Sequence, residues 1–250
     1  MTHLIRAEFR KLTSTQVWFW LLIASVAITA LSVVGQIARA RNNQVLADRV
    51  HDVYGSPSIA YIGVFVLGIL CVTTEFRYQT ITPTVLATPS RWRLISAKLV
   101  TFALVGIGFA LVCVLVDLLV ALPWLSAKGV DVALGDNYTA ILAVFTVVAL
   151  LALVGLGVGA LLKNQIVAVS VGLLFLLILS NIIVGIPGVK LVYPFLPGGL
   201  INSITTPVSA DRVINDVTLL PVWGGVVGLV IWGLGTALLG AGITMNRDIT

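Results

Sequence analysis

Hydrophobic residues gather in six long runs, at 17–37, 58–74, 99–122, 139–162, 166–186 and 222–243, separated by polar segments. Apolar runs of about 20 residues suit helices that cross the ~30 Å hydrocarbon core of a bilayer. A transmembrane β-barrel would instead alternate apolar and polar positions over segments of about ten residues, and these runs do not alternate. The pattern predicts an all-α integral membrane protein with six transmembrane helices. The second run is short and is expected to continue as helix into the polar stretch after it.

Ahead of the first run, helical spacing over 4–12 places Leu4, Ile5, Phe9 and Leu12 on one face and His3, Arg6 and Arg10 on the other. Such a segment predicts an amphipathic helix, within residues 1–16, lying on a membrane surface. Glu8 falls inside its apolar face, where a carboxylate either reaches water or meets a basic group. The start imitates a secretory signal, with basic residues, an apolar run and then Ala38-Arg39-Ala40. Its apolar run of 21 residues exceeds the roughly 7–15 of a signal core, so an anchoring helix is expected instead.

The stretch TEFRYQTITPTVLATPSRWR at 74–93 stands out between two apolar runs. Pro83 and Pro89 lack a backbone donor and push the preceding residue out of helical geometry, which leaves room for a short helical turn over 83–87. Ser90 is a good N-cap for a helix beginning at Arg91. A simple reversal needs only a few residues, so this segment reads as a rigid knob suited to contacting another protein. The short hydroxyls of Thr80, Thr82, Thr84 and Thr88, with Ile81, Val85 and Leu86, suit a partner's surface. Glu75 has candidate partners in Arg91, Arg93 or a basic residue of the N-terminal helix, and Arg77 or Arg91 are candidates to meet Glu8. These charges would otherwise simply mark a membrane boundary.

Composition agrees with burial in lipid. The chain of 250 residues is 59% hydrophobic and 10% charged, against roughly 25% charged in soluble domains. Six spans put both termini on one side. With the N-terminus inside, inner segments carry nine basic residues (Arg6, Arg10, Lys11, Arg77, Arg91, Arg93, Lys98, Lys163, Arg247). Outer segments carry six (Arg39, Arg41, Arg49, Lys128, Lys190, Arg212). The positive-inside rule therefore favours both termini in the cytoplasm. The net charge of +5 follows from that topology and does not point to nucleic acid.

Catalytic signatures are missing. The chain has no GxxxxGK[ST], HExxH or GxSxG, and His3 and His51 fall on opposite sides of the membrane in this topology. Cys71 and Cys113 lie in apolar runs as packing residues, and no metal or cofactor site is expected. Coupled transporters keep ionisable groups inside their spans, and here only Asp117 is a candidate. Asp117 and Asn181 lie at similar depth in the third and fifth spans, so either they meet, directly or through a shared water, or Asp117 reaches the outer interface. GLGVG at 155–159 and GGVVG at 224–228 carry small-residue spacings that permit close helix approach; packing within the bundle is their ordinary role, a dimer contact the other.

AEFRKL at 7–12 and GILCVTTEFRYQTITPTVLATPSRWRLISAKL at 68–99 resemble the membrane subunits of ABC exporters of the ABC-2 type. In that family a Glu-x-Arg-x-x-Thr stretch, here Glu75, Arg77 and Thr80, follows the second span, and Pro-Ser-Arg then Lys opens the third. The layout of spans and the segment 187–221, which contains YPFLPGG, are similar too. The resemblance implies one transmembrane domain over 1–250 that is not itself an enzyme, in the cytoplasmic membrane of a prokaryote. ATP and Mg would be handled by a separate cytoplasmic ATPase subunit, and a second permease subunit would complete a dimer. It implies a coupling loop at 75–91, with Glu75, Phe76, Arg77, Thr80, Pro83, Leu86, Pro89, Ser90 and Arg91 toward the ATPase, and Glu8, Phe9 and Lys11 as contacts of the N-terminal helix. The second and fifth spans would border the pathway and 187–221 would cap it. Neither span carries a formal charge, which favours a hydrophobic or amphipathic cargo. A function from another class is a non-transporting scaffold or accessory subunit of a membrane enzyme complex.

Overall fold

The structure, a computed structural model, describes residues 2–40, 43–79, 91–130, 135, 137–183, 185–186, 189–207, 213–214 and 216–245, apart from the side chains of 91, 180–181 and 241–245. The short amphipathic segment is helix α1 (Thr2–Thr13) and the first apolar run is α2 (Val17–Arg39). Two short helices follow, α3 (Asn43–Ala47) and α4 (Val50–Gly55), and a 3-10 turn (Ser56–Ala60) leads into α5 (Tyr61–Arg77). The second run is therefore helical on both sides of the expected bounds, from Val50 to Arg77. The third run is helical from Arg91, the first residue described after 80–90, and α6 (Arg91–Ala127) passes through Pro123; Ser90, the expected N-cap, lies outside the described residues. The 37 residues of α6 correspond to about 55 Å at 1.5 Å per residue, longer than a ~30 Å hydrocarbon core is thick.

Helix α7 (Tyr138–Leu162) ends at Lys163, whose φ of 35° turns the chain into α8 (Gln165–Leu173). Asn164 starts α8 by accepting hydrogen bonds from the Ile166 and Val167 amides at 3.1 and 3.2 Å. Six residues of π-helix (Leu174–Leu179) and the single turn α9 (Ser180–Ile183) complete the fifth apolar run. Beyond it lie a 3-10 turn (Lys190–Phe195), α10 (Pro197–Thr205), a hairpin of β1 (Val213–Ile214) and β2 (Val217–Thr218), and α11 (Val222–Met245). Among the described residues, five helices are long and apolar enough to cross a membrane; the fifth run, with its π segment, is a shorter apolar helix. The chain is an all-α membrane protein.

Helix α7 is the hub, packed against α5, α6 and α11, while α2 packs on α6. Small residues set these approaches. A Cβ on Gly68 of α5 would lie 2.6 Å from the Ala152 carbonyl oxygen, and one on Gly155 of α7 would overlap the Phe65 carbonyl oxygen. Both glycines therefore serve the α5–α7 crossing, so the 155–159 spacing is used within the bundle. In the segment before α11, α10 buries Leu200, Ile201 and Ile204 in one cluster with Phe65, Val147 and Leu229. The Asn202 amide donates to the Tyr193 hydroxyl at 2.6 Å, closing the YPFLPGG turn.

Candidate functional site

Four charged side chains from three helices form a closed ring at one end of the bundle. Glu8 and Lys11 come from α1, Glu75 from the last turn of α5, and Lys98 from the second turn of α6. Lys11 Nζ lies 3.0 Å from Glu8 Oε1 and 3.0 Å from Glu75 Oε1. Lys98 Nζ lies 2.6 Å from Glu8 Oε2 and 2.9 Å from Glu75 Oε1. Each carboxylate thus meets both ammonium groups, and the ring is neutral overall.

The ring is dry on one side. The Glu8 and Glu75 side chains are 3% and 9% exposed and Lys98 13%, while Lys11 at 42% faces outward. Phe9 and Leu12 of α1 pack with Cys71, Phe76 and Leu99 against the main apolar cluster, sealing the charges from beneath. Burial works to raise the Glu8 carboxyl, but the ammonium groups of Lys98 and Lys11 outweigh it and hold Glu8 below the usual carboxylate value. Burial likewise works to lower Lys11, and the carboxylates of Glu75 and Glu8 more than reverse it, raising the ammonium above its ordinary value. Ion pairs in poor solvent repay their desolvation only when the geometry is good and partners are shared, and here every partner is shared.

The end of α5 has further ties. The Arg77 guanidinium donates to the Gln165 side-chain oxygen at 3.2 Å, and Lys163 Nζ sits 5.4 Å from the centre of the Phe76 ring. Gln79, at φ 53°, ends the helix in a left-handed conformation. Arg77 therefore does not meet Glu8, although the sequence offered it as a partner. Residues two apart on an α-helix point about 200° apart, so with Glu75 turned toward α1 and α6, Arg77 is turned toward α8.

The residues foreseen from the sequence divide accordingly. The structure brings Glu8, Lys11 and Glu75 into the ring, with Phe9 and Phe76 beneath it and Arg77 on the neighbouring face. Thr80, Pro83, Leu86, Pro89 and Ser90, and the turn expected over 83–87, lie outside the described residues, as does the side chain of Arg91. Lys98 was overlooked as a site residue, although a signal existed. Glu8 lies within the apolar face of its helix, Glu75 directly follows the second apolar run and Lys98 directly precedes the third, and their signs complement one another.

Elsewhere, Asp117 is 1% exposed and so does not reach an outer interface; the Asn181 side chain is outside the described residues. Among the described residues no group of three or more His, Cys, Asp and Glu converges as a metal site would require. On the outer side of α1, His3, Arg6, Arg10, Lys11 and Ser14 line an open basic groove of about 510 Å³.

No protein-family model, curated protein or solved structure matches this chain. Fold and composition define a multi-pass α-helical membrane protein. Its distinguishing feature is the shared-charge clamp between an amphipathic N-terminal helix and two long apolar helices.

Proposed function

We propose that this chain is the membrane-spanning permease subunit of an ATP-driven exporter of the ABC-2 type. The fifth apolar run, α8 with its π segment, counts as a sixth crossing, and both termini face the cytoplasm. Residues 75–91 dock on a separate cytoplasmic ATPase, which binds ATP and Mg. Two permease subunits flank the pathway, and the cargo is hydrophobic or amphipathic.

The observation that carries this reading is the 2.9 Å contact between Lys98 and Glu75. These residues sit on the two helices that lead into and out of the segment at 80–90, so the contact braces the base of that segment. Lys11 and Glu8 extend the brace to α1. Through this contact a displacement of either helix end passes into α5 and α6 together. The Glu-x-Arg-x-x-Thr stretch at 75–80 supports the same assignment.

Replacing 82–86 with a Gly-Ser stretch tests it, because the flanking helices and the charge ring are untouched. Membrane insertion is expected to persist, while co-purification of an ABC ATPase and ATP-dependent export disappear together. Undiminished recovery of the ATPase with the altered chain would refute the coupling assignment.

A further inference from the structure

Helix α6 carries a buried column, Cys113, Asp117, Ala121 and Leu125, each one turn from the next. It belongs to the face that packs on α2, whose own buried column is Ser25, Thr29, Val33 and Ile37. Apolar residues of both columns share one cluster with Tyr54 of α4. Inside that junction both oxygens of Asp117 are buried and make no hydrogen bond, and the same holds for the Tyr54 hydroxyl, while Thr29 meets the Cys113 thiol. Tyr54 lies within electrostatic reach of Asp117.

The contrast with the charge ring is informative. Glu8 and Glu75 are each given two ammonium groups, whereas Asp117 is given none among the described residues. Helix α2 carries no charged residue between Val17 and Ala38, and α7 carries none over its whole length. Among the described residues the titratable groups at the junction are Tyr54 of α4 and Cys113 of α6 itself; α4 also carries His51, whose charged neighbour is Asp52. Lys128, at the far end of α6, donates instead to the Ile37 carbonyl at 3.2 Å. An ionised carboxylate in such surroundings would bear its desolvation cost with nothing to offset it. A neutral acid without partners costs far less.

We propose that Asp117 is a proton-binding site, holding one proton within the packed α2–α4–α6 junction. The proton is then the ligand, bound on a carboxylate oxygen, and the Tyr54 hydroxyl is the nearest polar group within electrostatic reach. The inference is independent of the ATPase assignment, since it concerns the opposite end of α6 from the ring.

Infrared difference spectroscopy of the full chain in lipid vesicles tests it. At neutral pH the wild type is expected to show the carbonyl band of a protonated carboxylic acid, which Asp117→Asn removes and raising the pH converts to carboxylate. In the same preparation an apolar carbodiimide, which reacts with protonated carboxyls, is expected to label Asp117 and to spare Glu8 and Glu75. Asp117→Asn keeps the shape of the neutral acid and should retain wild-type thermal stability. A neutral-pH spectrum lacking the acid band, or a band that survives in Asp117→Asn, overturns the proposal. So does a carbodiimide that leaves Asp117 unlabelled in wild type.

Discussion

Lys98 Nζ of α6 and Glu8 Oε2 of α1 lie 2.6 Å apart across 90 positions of sequence. That contact joins a helix at the start of the chain to the third apolar helix, and Glu75 completes the connection from the second. Three elements that sequence keeps separate thus share one charge balance.

Removing Lys98 leaves Glu8 with Lys11 alone, on the exposed side. Truncating one member of a buried ion pair costs about 3–5 kcal/mol, so Lys98→Ala is expected to lower thermal stability strongly and to free α1 to protease. Lys11→Ala should cost less, because its side chain is 42% exposed. Adding Glu8→Gln to Lys98→Ala should recover part of the loss, since the stranded charge disappears with its partner. Equal losses in the Lys98→Ala and Lys11→Ala variants, read by thermal unfolding in detergent, would contradict the ring's asymmetry.

Attachment of α1 should depend on pH at both extremes. Glu8 is held below its ordinary value of 4.5, so its contribution is fully present above that value and fades as pH falls through the lowered one. Lys11 is held above its ordinary 10.5, so its contribution is fully present below that value and fades as pH rises through the raised one. The protection factor of the α1 amides, the exchange rate corrected for its intrinsic rise with pH, should therefore stay constant through the neutral range and fall in strong acid and strong alkali. A fall in protection centred near neutrality would show that the ring does not hold α1.

Gly155→Val places a branched side chain where the Phe65 carbonyl already sits. Overpacking typically costs about 1–3 kcal/mol, and here the clash is with backbone that cannot rotate away. The variant should insert into membranes yet lose thermal stability by at least that much, while Gly108→Val, where nothing lies near a Cβ, should change little. Comparable melting of the two variants would argue against a close α5–α7 crossing.

Much of the helical layout was legible because it is local. The apolar runs and the α1 amphipathic spacing both depend on neighbours within a turn or two. The continuation of the second run to Arg77 was foreseen from its shortness, but its earlier start at Val50 was not, since 50–57 mixes polar residues, a glycine and a proline. The π segment at Leu174–Leu179 was equally invisible, because an unbroken apolar string reads the same in either helix type.

What the sequence determined by itself was that the long apolar runs and the amphipathic start are helical, that the chain belongs in lipid, and that Glu8 is out of place on its helix. Which residue meets Glu8 was decided by tertiary structure alone. In a soluble helix the polar face reveals the rotation of the buried one, whereas a membrane helix can be apolar all round, so the pattern carries no phase. The phase is set by shape, as where Gly68 and Gly155 let α5 and α7 touch, and that rotation presents Glu75 to Lys98 and turns Arg77 toward Gln165.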